Sequence, residues 1–204
     1  MAYFSTAYFP SLEYIALVCK EAKVWVEYCE TYPKQTHRNR CYIASANGLL
    51  PLSVPVKRIH GNHTLTSEVV IDYGQPWFKK HWRAIESAYR NAPFFEYYAP
   101  EIWDTLQKPY DRLVDLNFSL YRIIAKRLKL DQEIIPTENF LPYVGLKDYR
   151  QLDYRKEHTC NLLLPSYKQV FDDRHPFSGK VSVLDILFNL GPEAALYWKE
   201  ITIL

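Results

Sequence analysis

The 204-residue sequence predicts an α/β fold in which a mixed sheet, built from an N-terminal βαβ unit and a β-hairpin, is covered by middle and C-terminal α-helices. Three observations lead to this prediction. The first thirty residues read as strand, turn, helix and strand; Asn47-Gly48 lies between two β-favouring runs; and from Pro76 the apolar residues recur at helical spacing. We expect one domain over residues 1–204, with a sheet-rich part at about 1–75 and a helical part at about 76–204.

The predicted βαβ unit begins with the β-favouring residues Tyr3 to Tyr8. Four apolar residues then recur at helical spacing: Tyr14, Ile15, Val18 and Ala22. Residues 24–30 alternate between two faces, as a strand does. Because the two strands of such a unit normally lie parallel, we expect them to be parallel neighbours in one sheet.

The hairpin prediction rests on Asn47-Gly48, because these residues tolerate the positive φ angles of a type I′ turn. A two-residue loop at this pair would place Pro51 opposite Ala44 and Pro55 opposite Arg40, at positions where the ladder expects an amide donor that proline lacks. We therefore expect either a longer loop or a bulged second strand at the sheet edge.

Residues 69–73 predict one more strand, after which the period becomes helical. Pro76 can open a helix at its first position, and four residues share the apolar face of that helix: Phe78, Trp82, Ile85 and Tyr89. Residues 102–107 predict a short helix. Pro109 opens a longer one, in which Asn117 is the one polar member of a stripe formed with Tyr110, Leu113, Leu120 and Ile124. Residues 130–154 carry no clear period, and Ser182 with Asp185 resembles a capping box for a helix that ends at Gly191-Pro192.

The charge balance limits the classes of function. Lys plus Arg number 25 and Asp plus Glu 23, which argues against a nucleic-acid partner held by bulk charge, so an anion site must be local. The apolar runs are too short to cross a bilayer and no secretory signal is visible, so we expect a cytoplasmic protein without a membrane span. Four scattered cysteines are expected to be reduced thiols: Cys19, Cys29, Cys41 and Cys160.

Residues 34–40, hereafter the basic loop, form the segment most suggestive of function. Lys34, Arg38 and Arg40 are cationic and have no locally paired acid, while Gln35, Thr36 and Asn39 add hydrogen-bonding groups. Arginine offers a planar fork and lysine a point charge, so such a loop at a strand end suits a phosphate or carboxylate. The alternative is a solvated turn whose cations pair with distant acids.

Three other features allow a functional or a structural interpretation. His81 lies beside the apolar face of its helix. Its imidazole could act as a general base or could only form a hydrogen bond with a backbone carbonyl. Asn117 either pins a neighbouring loop or faces a ligand, because an unsatisfied buried amide is costly. The aromatic corner, residues 92–98, is either a hydrophobic staple between helices or the wall of a cleft. His60 and His63 lack a third nearby ligand, so neither a metal site nor a cofactor is predicted.

Taken in order, a series of residues resembles the WbqC-like protein family: Tyr8-Phe9-Pro10, Glu27, Lys34 to Cys41, Asn47-Gly48, Ser53 to Val56, Trp77, His81-Trp82, Tyr89, Pro93 to Phe95 and Asn117. The resemblance covers most of the chain, and residues 177–185 look like the ending of Bacteroidetes-type members. The chain departs from the commoner pattern in having Thr6-Ala7-Tyr8 in place of a Gln-containing run, so a ligand contact from that Gln is not carried over.

Members of this family are often associated with bacterial surface-polysaccharide gene clusters. The resemblance therefore implies an enzyme that modifies an O-antigen or capsule precursor, acting on an activated sugar or on its acyl or aminoacyl substituent. The implied reaction is a transfer onto a nucleotide-activated amino-sugar, and the implied ligand is a small anion or a nucleotide sugar. The alternative is a non-catalytic binding or scaffolding protein whose aromatic corner meets a partner enzyme of the same pathway.

The residues and the resemblance together predict a site. His81 is the expected base, with Glu27 as its orienter or as an alternative base. The expected ligand-binding residues are Lys34, Gln35, Thr36, Arg38, Asn39, Arg40 and Asn117. The expected cleft wall is formed by Tyr32, Phe94, Phe95 and Tyr97.

Overall fold

The computed structural model describes residues 2–142, 145, 147–152 and 162–203. Its central element is a four-stranded parallel sheet formed by β1 (Ala2–Ser5), β2 (Lys23–Glu27), β7 (Glu133–Pro136) and β8 (Asp148–Tyr149). The order of the strands across the sheet is β7-β2-β1-β8. Helix α1 (Leu12–Val18) connects β1 to β2, so the predicted parallel βαβ unit is confirmed.

Helix α1 begins at a capped end, where the Tyr14 amide donates to Ser11 Oγ at 3.1 Å. Its buried side covers one face of the sheet, and the Tyr14 ring lies 4.8 Å from the ring of Phe4 between centroids. Because side chains alternate along a strand, Tyr3, the neighbour of Phe4, points to the opposite face. Tyr3 is paired with Trp25, and both are only half-buried.

The hairpin consists of β3 (Arg40–Ser45) and β4 (Gly48–Ser53), and its loop is Ala46-Asn47, one residue earlier than predicted. Pro51 therefore lies opposite Tyr42, whose carbonyl accepts a hydrogen bond from the Ser182 amide (2.7 Å) outside the hairpin. Tyr42 and Pro51 form a pair that does not exchange backbone hydrogen bonds, so the missing N–H of the proline removes no hydrogen bond from the ladder. The expected longer loop or bulge was wrong. The hairpin also forms its own two-stranded sheet instead of joining the parallel one.

Two further pairs of short strands are antiparallel. Strand β5 (Val56–Lys57) pairs with β6 (Val70–Ile71), and β9 (Leu162–Leu163) pairs with β10 (Thr202–Ile203). Short 3₁₀ turns at Gly61–His63 and Thr66–Glu68 lie between β5 and β6.

Helices lie in the middle and C-terminal parts of the chain, as predicted, although no helix was predicted over residues 194–200. They are α2 (Trp77–Tyr89), α3 (Phe95–Leu106), α4 (Leu113–Leu128), α5 (Leu184–Leu190) and α6 (Ala194–Glu200). A 3₁₀ turn at Gly191–Glu193 separates α5 from α6. Helix α4 begins at Leu113, later than Pro109 suggested, because the Leu113 amide donates to the carbonyl of Val69 (2.9 Å). The α/β class is thus confirmed.

Two differences concern the helical faces. The buried face of α2 is formed by Trp77, His81, Ile85, Ala88 and Tyr89, whereas Phe78 and Trp82 are half-buried. Helix α3 starts at Phe95, well before the predicted short helix. The aromatic corner therefore forms the start of this helix and the residues just before it. Within the described ranges, no helix combines the length and the apolarity needed to cross a membrane.

Candidate functional site

The candidate site lies where the four parallel strands end. Polar residues end or follow these strands: Thr6 after β1, Glu27 at the end of β2, Thr137 after β7 and Arg150 after β8. In open α/β sheets, ligands bind outside the carboxyl ends of the strands, at the point where the strand order reverses. Here β2 and β7 lie on one side of β1 and β8 lies on the other, so this point falls between β1 and β8.

Glu27 is fully buried and joins three of the strand ends. One carboxylate oxygen accepts hydrogen bonds from Thr137 Oγ1 (2.6 Å) and from the Cys29 amide (2.8 Å). The other accepts from Arg150 Nη1 at 3.1 Å. The geometry therefore commits both carboxylate oxygens of Glu27 to holding neighbouring segments, and above all to orienting Arg150.

Arg150 is held by two carboxylates and two rings. Nε donates to Asp148 Oδ1 (2.8 Å), Nη2 donates to the other oxygen of Asp148, and Nη1 also donates to the Leu141 carbonyl (2.6 Å). The hydrogen bonds from Arg150 keep the pKa of the Asp148 carboxyl below its ordinary value. The guanidinium carbon lies 6.0 Å from the ring centroid of Tyr3 and 5.5 Å from that of Phe140. These contacts fix the position of the positive charge.

Arg38 forms a second fixed fork beside Arg150. Its Nε and Nη2 donate to the two oxygens of Glu30 at 2.7 and 2.8 Å, and its Nη1 donates to Thr36 Oγ1 at 3.1 Å. Nη2 also donates to the Arg150 carbonyl (3.1 Å), which connects the basic loop to β8. Burial raises the pKa of Glu30, although the hydrogen bonds from Arg38 oppose this effect. The basic loop thus does have an acid nearby, contrary to the prediction from the sequence.

Both guanidinium groups line an open cleft of about 490 Å³, together with Glu30, Thr36 and Asp148. Lys34 contributes an exposed cation to the same cleft. A guanidinium has five N–H groups, and the hydrogen bonds to described residues use four in each arginine. Within the part of the chain that the structure describes, the fifth N–H of each arginine has no partner and is a candidate donor to a ligand. Such donors form strong, charge-assisted hydrogen bonds with phosphate or carboxylate oxygens.

His81 lies elsewhere, beside a depression of about 580 Å³ that is also lined by Asp72 and Lys80. A hydrogen bond of 2.9 Å joins Tyr8 Oη and His81 Nδ1. Burial lowers the pKa of His81 to about 4, and a hydrogen bond with the Ser53 backbone opposes this effect. The hydrogen bonds of Glu27 go to other groups, so the structure does not bring the two predicted catalytic residues together.

Four other predicted ligand-binding residues lie outside the cleft wall. Arg40 Nε donates to Ser53 Oγ across the hairpin (2.7 Å), and Asn39 Nδ2 donates to the Val54 carbonyl (2.9 Å). Asn117 Nδ2 donates to the Arg38 carbonyl (2.8 Å) and to Thr6 Oγ1 (3.1 Å), and so holds the basic loop from α4. Gln35 is exposed and has a left-handed φ of 55°. Asn39, Arg40 and Asn117 position the loop that carries Arg38.

The residues predicted as a cleft wall make contacts typical of a staple between helices. The Phe95 ring lies 6.2 Å from Trp82 and 5.1 Å from Phe188 between centroids, which joins α3 to α2 and α5. Phe94 packs so closely over Gly191 that a Cβ there would lie 2.5 Å from its ring. Tyr97 is 77% exposed, and Tyr32 is buried.

Sequence reasoning did not identify Glu30, Phe140, Asp148 or Arg150 as site residues. Three of them fall in residues 130–154, where β8 is only two residues long and too short to show a period. Glu30 could have been found, because it lies three residues after the end of β2 and eight positions before Arg38. A strand end followed by an acid and then a basic loop was a signal that could have been used.

The described ranges contain three of the four cysteines and most of the potential metal ligands. Cys19, Cys29 and Cys41 are free thiols, whereas Cys160 lies outside the described residues. No group of three or more histidine, cysteine, aspartate or glutamate side chains in those ranges is arranged to hold a metal ion.

The sequence of the chain is similar to those of known proteins. Residues 6–164 match the WbqC-like protein family. The chain is similar to Uncharacterized protein Rv1507c of Mycobacterium tuberculosis. The two are 29% identical over an alignment 209 positions long, which covers 82% of this chain and 84% of the relative. No solved structure matches the chain.

Proposed function

The chain belongs to the WbqC-like protein family, and on this premise we propose that it binds an activated sugar of a bacterial surface polysaccharide through an anionic group. The proposed binding place is the cleft lined by Arg38 and Arg150. The single observation that carries the proposal is the pair of fixed guanidinium forks at the reversal point of the parallel sheet.

The fixed geometry favours anion binding for a physical reason. Glu30 holds Arg38, while Glu27 and Asp148 hold Arg150, so neither side chain has to be ordered when a ligand arrives. The three carboxylates formally balance the positive charges of Arg38, Arg150 and Lys34, so the attraction for the anion comes from hydrogen bonds with the remaining N–H groups and from the exposed ammonium of Lys34. We therefore expect a ligand whose oxygens reach both forks, as those of a phosphate or diphosphate do.

The proposed reaction is the transfer of an acyl or aminoacyl group from a carrier to the amino group of the sugar. The amine nitrogen forms a bond with the acyl carbon, the carrier leaves with the electron pair of the broken bond, and the amine proton passes to a base. Glu30 is suited to this role, because it lines the cleft and burial raises its pKa. His81 lines the other depression and not this cleft, and its role as a base stays a prediction.

Binding can be measured by calorimetric titration of the wild type with a panel of nucleotide sugars. We expect Lys34→Ala to weaken binding about two- to fivefold, as the loss of one exposed charge contact does. Arg38→Lys, which keeps the charge but loses the fork, should weaken it about tenfold or more. Lys126→Ala is the matched control, because Lys126 is an exposed lysine of α4 that does not line the cleft.

Two outcomes would oppose the proposal: no binding of any nucleotide sugar to the wild type, or an equal loss of affinity in Lys34→Ala and Lys126→Ala. The scaffolding alternative predicts no concave pocket where Lys34, Arg38 and Glu27 converge. Lys34 and Arg38 do line one cleft, which supports ligand binding, whereas Glu27 contacts it only through Arg150. Incubation with acyl and aminoacyl donors distinguishes an enzyme from a binding protein, because only an enzyme releases a modified sugar.

A further inference from the structure

A stack of four groups runs from the sheet to the wall of the cleft. The rings of Trp25 and Tyr3 are nearly parallel (13°) with centroids 6.2 Å apart. The Arg150 guanidinium carbon lies over both the Tyr3 ring and the Phe140 ring, at 6.0 and 5.5 Å from their centroids. The order is therefore Trp25, Tyr3, Arg150, Phe140, and the last member lines the same cleft as Arg38.

The inner members of this stack are rigidly held. Tyr3 and Trp25 are direct partners in the register of β1 and β2, and Arg150 is fixed by Glu27 and Asp148. A cation above an aromatic ring attracts it through the ring quadrupole. Phe140 is thus supported by Arg150 before any ligand binds.

Phe140 is nevertheless 50% exposed, although burial of a phenylalanine side chain is strongly favourable. Its position in the cleft wall offers apolar ring surface beside two arginines. A ligand that carries both a planar ring and an anion could stack on Phe140 and at the same time accept hydrogen bonds from the arginine N–H groups that have no partner among the described residues.

We propose that Phe140 is the stacking residue for the base of a nucleoside phosphate whose phosphate binds Arg38 and Arg150. This inference rests on the proposed function and specifies its ligand class, since it assigns part of the affinity to the base and not only to the anion. A nucleoside phosphate fits better than an aromatic carboxylate, because Arg38, Arg150 and Lys34 offer more donors than one carboxylate uses.

The test compares two phosphates that differ in the presence of a base, together with one aromatic carboxylate. The wild type is titrated by calorimetry with uridine 5′-monophosphate, ribose 5-phosphate and phenylalanine. We expect uridine monophosphate to bind about tenfold more tightly than ribose 5-phosphate, since removal of one aromatic partner of a base commonly costs that factor or more. Phenylalanine should bind more weakly than uridine monophosphate.

Variants then assign the difference to one side chain. Phe140→Ala should reduce the affinity for uridine monophosphate to that for ribose 5-phosphate and leave the latter unchanged, while Phe140→Trp should retain tight binding and show base-dependent quenching of its fluorescence. Ile59→Ala is the matched control, because Ile59 is an apolar side chain of comparable exposure that does not line this cleft.

The outcomes separate this inference from the proposed function. Binding of uridine monophosphate and ribose 5-phosphate with equal affinity, or an equal loss of both in Phe140→Ala, would overturn the stacking role while the anion site stands. Tighter binding of phenylalanine would replace the nucleoside by an aromatic carboxylate. Absence of binding by every phosphate would refute the anion site and the stacking role together.

Discussion

Replacement of His81 by glutamine should flatten the dependence of stability on pH. His81 is 6% exposed and hydrogen-bonded to Tyr8, and burial lowers its pKa to about 4, from an ordinary value of about 6.5. Between these two values the unfolded chain binds a proton at His81 that the folded protein does not. Acidification therefore favours unfolding, and stability is lost as the pH falls below about 6.5.

The size of the effect follows from the two pKa values. Linkage gives a loss of about 2 kcal/mol between about pH 7 and about pH 4.5 that is attributable to His81 alone. Glutamine offers a carbonyl oxygen and an amide donor, so it can replace the polar contacts of the ring without taking up a proton. The variant should lose about 2 kcal/mol less than the wild type over this interval.

Urea denaturation at the two pH values measures these free energies of unfolding. Because both proteins contain the same carboxylates and the same other histidines, the difference between their pH dependences isolates His81. His63→Gln serves as the control, since His63 is exposed in a 3₁₀ turn and its replacement should leave the wild-type dependence intact. An equal loss of stability in the wild type and in His81→Gln would refute the reasoning, because the imidazole would then not be held neutral by burial.

Three further substitutions test the contacts around the site and the core. Asn117→Ala removes the donor to the Arg38 carbonyl, and we expect the free energy of unfolding in urea to fall by about 1–3 kcal/mol; an unchanged value would show that the basic loop does not need this amide. Gly191→Ala places a Cβ 2.5 Å from the Phe94 ring at a φ of 53°, so thermal melting should indicate a loss of at least about 2 kcal/mol, and a neutral result would contradict the close approach. Tyr167→Phe removes the hydroxyl that donates to buried Asp185 (2.6 Å), and the expected loss of about 1–2 kcal/mol should be larger at neutral than at acidic pH, because this bond lowers the pKa of Asp185 while burial raises it; equal losses would contradict that role.

Local periodicity was sufficient to predict the βαβ unit, the hairpin and the helices, because each of these elements is stabilised by contacts within a short stretch of chain. It did not determine the hairpin register, since the Asn47-Gly48 pair favours one turn whereas Pro51 is accommodated without loss of a ladder bond in the neighbouring one. It also missed β8, whose two residues become a strand only through pairing with β1. The predictions therefore failed where structure depends on partners distant in sequence.

The site shows the same division. Lys34, Thr36 and Arg38 could be chosen from local composition, and they do line one cleft. Their partner Arg150 lies more than a hundred residues away and is recruited by the parallel pairing of β8 with β1.

A buried guanidinium is costly unless it is paired, so the near-complete burial of Arg38 by itself requires an acid such as Glu30. The same principle applies to Glu27, whose fully buried carboxylate requires a cation and receives Arg150. A carboxylate at a strand end suggests a catalytic base, but one whose two oxygens already accept three hydrogen bonds acts on a ligand through the arginine that it orients. Glu27 is accordingly a positioning residue in this geometry. A ligand in the cleft can instead meet the forks of Arg38 and Arg150, the exposed ammonium of Lys34, and the side chains of Glu30 and Phe140.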